Sequence, residues 1–115
     1  MSQLLEQSYI QSEDLETLLK ERAEGKVDFI LVDVREQMEY DYGHIKGVDL
    51  LKPTSTFQMW AEDFLNEYKD RIVIFTCRTA SRSGQVQRVF QENGMARVIN
   101  HGGGIVTYQG EVVRD

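Results

Sequence analysis

Apolar residues recur along this chain in two rhythms, one helical and one continuous. Ser12, followed by Glu13 and Asp14, reads as an N-cap with acidic first-turn residues, and Leu15, Leu18 and Leu19 then supply an i, i+3, i+4 stripe. Lys20 and Arg22 fall late in this predicted helix, and Gly25 is its stop. Asp28 to Asp33 is instead an unbroken, β-branched-rich apolar run, the pattern of a strand buried on both faces. A short polar helix is predicted from about Glu36 to Tyr42, ending near Gly43, with a weak strand signal from Gly47 to Leu51. Thr56 to Tyr68 reads as a helix with Phe57, Trp60, Phe64 and Leu65 on one face. Arg71 to Thr76 is the clearest strand. Ser83 to Asn93 is predicted as a helix with Val86, Val89 and Phe90 inward and Gly94 as its stop, and Arg97 to Ile99 as a last short strand.

Buried strands alternating with helices predict an α/β domain around a mostly parallel sheet. The length of 115 residues fits one domain, residues 1–115, able to bury roughly 65% of its unfolded surface without a disulfide or metal. With 41% hydrophobic residues, 28% charged residues and one proline, the composition is globular and excludes disorder. No apolar run approaches the ~20 residues of a membrane span. The opening MSQLLEQSYIQSEDLE lacks a basic region followed by an apolar core, so the cytoplasm is the expected compartment, or the periplasm if a signal peptide has been removed. A formal charge of −6 argues against nucleic-acid or anionic-membrane partners. Residues 1–76 carry a balance of −8 and residues 77–115 a balance of +2, so the acidity conceals a locally positive segment.

The chain has one cysteine, which excludes an internal disulfide and multi-cysteine zinc patterns. Cys77 directly follows the strongest strand, where ligands sit in open α/β sheets. The small residues Thr79, Ala80 and Ser81 let the backbone curl into an anion-binding nest, and the following helix adds its N-terminal donors. Arg78 and Arg82 add two permanent positive charges. Together these features favour a thiolate, the nucleophilic form of cysteine. A core cysteine belongs inside the apolar run; this one lies just past it.

The loop Cys77-Arg78-Thr79-Ala80-Ser81-Arg82-Ser83 resembles the active-site loop of single-domain rhodaneses, which are sulfurtransferases. Leu31-Val-Asp33-Val-Arg35-Glu36, Tyr42-Gly43-His44-Ile45-Lys46-Gly47 and His101-Gly102-Gly103-Gly104-Ile105 resemble three further motifs of that family, in the same order. The resemblance implies a three-layer fold, with about five mostly parallel strands and helices on both faces. It also implies a Cys77 persulfide that takes sulfur from a donor such as thiosulfate and passes it to a thiol or protein acceptor. Arg78, Thr79, Ala80, Ser81 and Arg82 would bind the anionic donor, with Ser83, Asp33 and Arg35 supporting them. No metal or organic cofactor is implied, and a monomer or weak dimer is expected. Phosphatases and arsenate reductases of similar fold have a loop resembling Cys-x5-Arg. Here four residues separate Cys77 from Arg82, so the smaller pocket suits a sulfur atom better than a phosphoryl group. A sulfur-carrier or regulatory module, taking persulfide sulfur from one protein to another, is the alternative.

The family usually has glycine where this chain has Ala80, so the tightest turn of the loop must accommodate a Cβ. Arg35 is read chiefly as the partner of a neighbouring carboxylate, and only second as an anion ligand. His44 and His101 are read as turn residues rather than bases, and the two do not make a metal site. Gly102 to Gly104 lack the Gly-Lys-Ser/Thr ending of a phosphate loop.

Overall fold

A computed structural model describes residues 3–114. Along the chain run β1 (Tyr9–Ile10), α1 (Ser12–Ala23), β2 (Ile30–Asp33), α2 (Gln37–Tyr42), β3 (His44–Ile45) and β4 (Leu50–Leu51). Then follow α3 (Phe57–Tyr68), β5 (Val73–Thr76), α4 (Ser81–Glu92), β6 (Val98–His101) and β7 (Val112–Val113). The main sheet has the order β1-β6-β5-β2-β4 with every ladder parallel, while β3 and β7 form a small antiparallel pair. The two unbroken apolar runs therefore lie side by side at the centre, with Ile30 opposite Val73 and Asp33 opposite Thr76.

Alternation along the strands divides the core into two layers. Leu31, Ile74 and Ile99 face α1, packing with Leu15 and Leu18. Val32, Phe75 and Val98 face the other way, against Trp60 and Phe64 of α3 and Val86 and Phe90 of α4. Phe75 stacks on Phe90 at a centroid distance of 5.7 Å, and each such ring contributes about 2–3 kcal/mol by leaving water. No helix among the described residues is long and apolar enough to cross a membrane.

Several boundaries differ from those expected. Ser12 begins α1 instead of capping it, because its hydroxyl is engaged by His101 and Thr107. The cap falls to Gln11, whose N–H donates to the Asp14 carboxylate at 3.0 Å. The first central strand starts at Ile30, two residues after Asp28, and the last runs on through Asn100 to His101. Helix α4 begins at Ser81 and not Ser83. Its buried stripe is then Ser83, Val86 and Phe90, which moves Val89 to the flank, 39% exposed.

Candidate active site

Parallel register brings two turns out of the sheet together: Val34 N–H donates to the Thr76 carbonyl at 3.0 Å, so the chains leaving β2 and β5 emerge side by side. Cys77 opens the second turn. Its own carbonyl accepts from Ile105 N–H at 2.9 Å, and the Arg78 carbonyl accepts from Val106 N–H at 3.2 Å. Carbonyl and following N–H point opposite ways in a trans peptide, so these bonds turn the N–H groups of Arg78 and Thr79 to the inner side of the loop. Among the described residues, no protein acceptor takes the N–H groups of residues 78–82. Gly104 makes this backing possible. Its φ is +67°, and a Cβ there would sit 2.3 Å from the Arg78 carbonyl oxygen.

The bend that returns the loop toward Cys77 is made at Ala80, which has φ +77° and is the only non-glycine residue at positive φ among those described. This left-handed conformation costs an alanine about 1–2 kcal/mol. Two bonds hold it: the Ala80 carbonyl accepts from Gly84 N–H at 3.0 Å and from Asn100 Nδ2 at 3.3 Å. The bend lifts Ser83 over the sulfur. Ser83 N–H donates to Cys77 Sγ at 3.4 Å, and Ser83 Oγ donates to it at 3.3 Å. Ser83 Oγ also lies 2.6 Å from Asn100 Oδ1, and a hydroxyl has one hydrogen. Rotation moves that hydrogen between the amide and the sulfur, so Asn100 competes for the donor that steadies a thiolate. Cys77 itself is buried, 1% exposed, with Arg78, Thr79 and Ser81 exposed around it. Surface clefts of about 510 and 420 Å³ lie elsewhere on the molecule, lined by other residues.

Charge is distributed less simply than composition suggested. The Arg82 guanidinium is held by Glu39 of α2 through two bonds of 2.6 and 2.9 Å. Glu39 also accepts from Glu36 N–H at the start of α2, and the Arg82 hydrogen bond lowers its carboxyl to about 2. Arg78 makes no ion pair among the described residues. Asp33 and Arg35 face one another in a buried pair at 2.8 Å, and Arg35 also donates to the Gly43 carbonyl at 2.7 Å. These two residues therefore brace the turn beside the cysteine; their polar groups are engaged with each other.

A neutral polar chain lies beneath the loop. Thr107 Oγ1 donates to the Gly104 carbonyl at 3.0 Å, so the hydrogen shared at 2.7 Å between Ser12 and Thr107 comes from Ser12. His101 Nε2, 2.7 Å from Ser12 Oγ, must then carry a hydrogen, and Nδ1 accepts from Thr76 Oγ1 at 2.8 Å. That tautomer is neutral, in keeping with burial, which lowers His101 to about 4. His44 stacks on Tyr40 with ring centroids 3.7 Å apart, its Nδ1 3.0 Å from the Tyr40 carbonyl. Glu39, Asn100 and Ser12 are the contributors that sequence reasoning missed. Glu39 lies 43 positions from Arg82 and Asn100 17 from Ser83, so no local spacing marks either pair.

The loop, the braced turn and Gly104 all lie within the match to a known family. The sequence model of the rhodanese-like domain matches residues 14–111. The chain belongs to the rhodanese-like family. This rhodanese-like domain is 30% identical over 99 residues to YtwF of Bacillus subtilis, a putative sulfurtransferase, covering 81% of this chain and 85% of that protein. It superposes on a rhodanese-like domain protein of Staphylococcus aureus with a TM-score of 0.73 at 27% identity, covering 91% and 94% of the two chains. It is also 30% identical over 84 residues to the tRNA uridine(34) hydroxylase of Cronobacter sakazakii, covering 70% of this chain. The chain spans between 24% and 31% of the length of that protein and two other curated relatives.

Proposed function

We propose that this rhodanese-like domain is a sulfurtransferase that carries sulfane sulfur on Cys77. The observation that carries the reading is the placement of Cys77 Sγ at the end of β5 beneath the Ser83 N–H and hydroxyl. In the first step the Cys77 thiolate attacks the outer sulfur of a donor. The donor's S–S bond breaks, its electron pair leaves on the departing group (sulfite, if the donor is thiosulfate), and a Cys77 persulfide remains. The N–H groups of residues 78–82 hold the anionic terminal sulfur without reorganising, while the Ser83 donors stay on Sγ. In the second step a thiophilic acceptor attacks that terminal sulfur, and the electron pair returns to Cys77 as thiolate. Sulfur moves without net oxidation, so the exchange needs no metal or organic cofactor.

The test is turnover. Thiocyanate should form from cyanide with a sulfane-sulfur donor, and Cys77→Ser should abolish it. Thiocyanate formation that survives in Cys77→Ser, or appreciable hydrolysis of an aryl phosphate, would overturn the reading.

A further inference from the structure

The charge at the site is set by a residue of a different element. The loop sequence carries two arginines, Arg78 and Arg82. One of them, Arg82, is engaged on both terminal nitrogens by both oxygens of Glu39. Bidentate pairing of this kind fixes the guanidinium plane and cancels its charge at short range. Glu39 is itself positioned by the Glu36 N–H at 2.9 Å and stays ionised throughout neutral and mildly acidic conditions. Glu36, a second carboxylate at the start of α2, also acts on Arg82 electrostatically. The Arg35 charge nearby is matched by Asp33. What remains unmatched is Arg78, exposed and next to Cys77 in the chain.

From this balance we infer that Glu39 is a specificity-determining residue: by neutralising Arg82 it tunes the site to donors bringing one negative charge, organic persulfides R–S–S⁻, over the dianion thiosulfate. The inference rests on the sulfur-transfer reading and narrows its donor. With such a donor the Cys77 thiolate attacks the terminal sulfur of the persulfide. The donor's S–S bond breaks, the thiolate R–S⁻ leaves with the electron pair, and the transferred sulfur keeps its negative charge as the terminal atom of an anionic Cys77 persulfide, so two negative charges enter and two leave. A site with two free guanidinium groups would instead favour thiosulfate, because a dianion gains twice the Coulomb energy of a monoanion from each added charge.

The experiment compares donor preference in a set of charge variants. The probes are thiosulfate and the persulfide of 2-mercaptoethanol, and the readout is kcat/KM for sulfur loading at low ionic strength. Glu39→Gln keeps an acceptor for the Glu36 N–H while releasing the Arg82 charge. It should raise kcat/KM about tenfold for thiosulfate and about threefold for the persulfide, an advantage that shrinks in high salt. Arg82→Gln leaves the Glu39 charge unmatched and should lower the thiosulfate-to-persulfide ratio about threefold. The double variant should return to the wild-type ratio. Using the ratio cancels any effect of these changes on the Cys77 thiolate, which both donors share. Wild-type loading from both donors with a ratio that none of the variants shifts would overturn this inference alone. Loading from neither donor would overturn the sulfur-transfer reading and this inference with it.

Discussion

Two turns leave the same edge of the sheet side by side, after β2 and after β5, and they treat charge in opposite ways. The turn after β2 is built from ions: Asp33 and Arg35 are a buried pair, and a few residues on Glu39 takes Arg82 from its neighbour. The turn after β5 is supported by neutral groups: backbone N–H donors, the Ser83 hydroxyl, the Asn100 amide, and below them the Thr76–His101–Ser12 chain. The difference suits the proposed sulfur transfer. A buried ion pair is a rigid, directional brace whose facing atoms are engaged with each other. Neutral donors fixed by backbone geometry hold an anion on sulfur without bringing a counter-ion that would compete for it. The arginines predicted to bind the donor are thus divided: Arg82 is paired with Glu39, and Arg78 is exposed.

Breaking the ionic turn should have the largest effect. Arg35→Ala leaves Asp33 buried without its partner and should destabilise the fold by about 3–5 kcal/mol, read as a lower urea midpoint. Acid should sharpen the contrast next. His101 binds its proton near 4 when folded and near 6.5 when unfolded, so between those values the unfolded chain holds the extra proton. Stability from this group is complete above pH 6.5 and is lost as the pH falls to 4, about 3 kcal/mol in all. A His101→Asn variant should show a flatter stability curve across that window than the wild type. The Glu39 carboxyl, at about 2, keeps its proton off throughout the same window, so acid should weaken the neutral side of the site before the ionic one.

The smaller effects fall on the sulfur loop itself. Ser83→Ala removes one of the two donors on Sγ and the hydroxyl partner of Asn100 Oδ1; it should slow sulfur loading about tenfold, measured by rapid-quench mass analysis, and lower stability by about 1–2 kcal/mol. Ala80→Gly relieves the left-handed alanine and should raise stability by about 1 kcal/mol in urea melts. A loss of stability there would mean the Cβ packs usefully.

The parts of this arrangement that were legible in the sequence are those governed by local pattern. β2 and β5 stood out because both of their faces are buried, which leaves unbroken apolar runs, and Cys77 stood out because it follows one of them. The pair β3 and β7 is two residues long on each side, too short for alternation to show, and β1 likewise. The start of α4 was misplaced because it depends on the backbone of Ala80, a conformation that alanine rarely adopts. Val89 followed from that displacement. Arg82 looked free because its partner lies on another helix, and a sequence records side-chain charge without recording who neutralises it. Composition located the positive segment; the fold determined how much of it remains positive.

The central claim is that Cys77 carries the sulfur, and the mass of the intact protein tests it most directly. Wild-type protein and Cys77→Ser are incubated separately with thiosulfate and with the persulfide of 2-mercaptoethanol, freed of donor and weighed. The wild type should gain one sulfur atom and Cys77→Ser none. No gain from either donor, or a gain that persists without the cysteine, would contradict it.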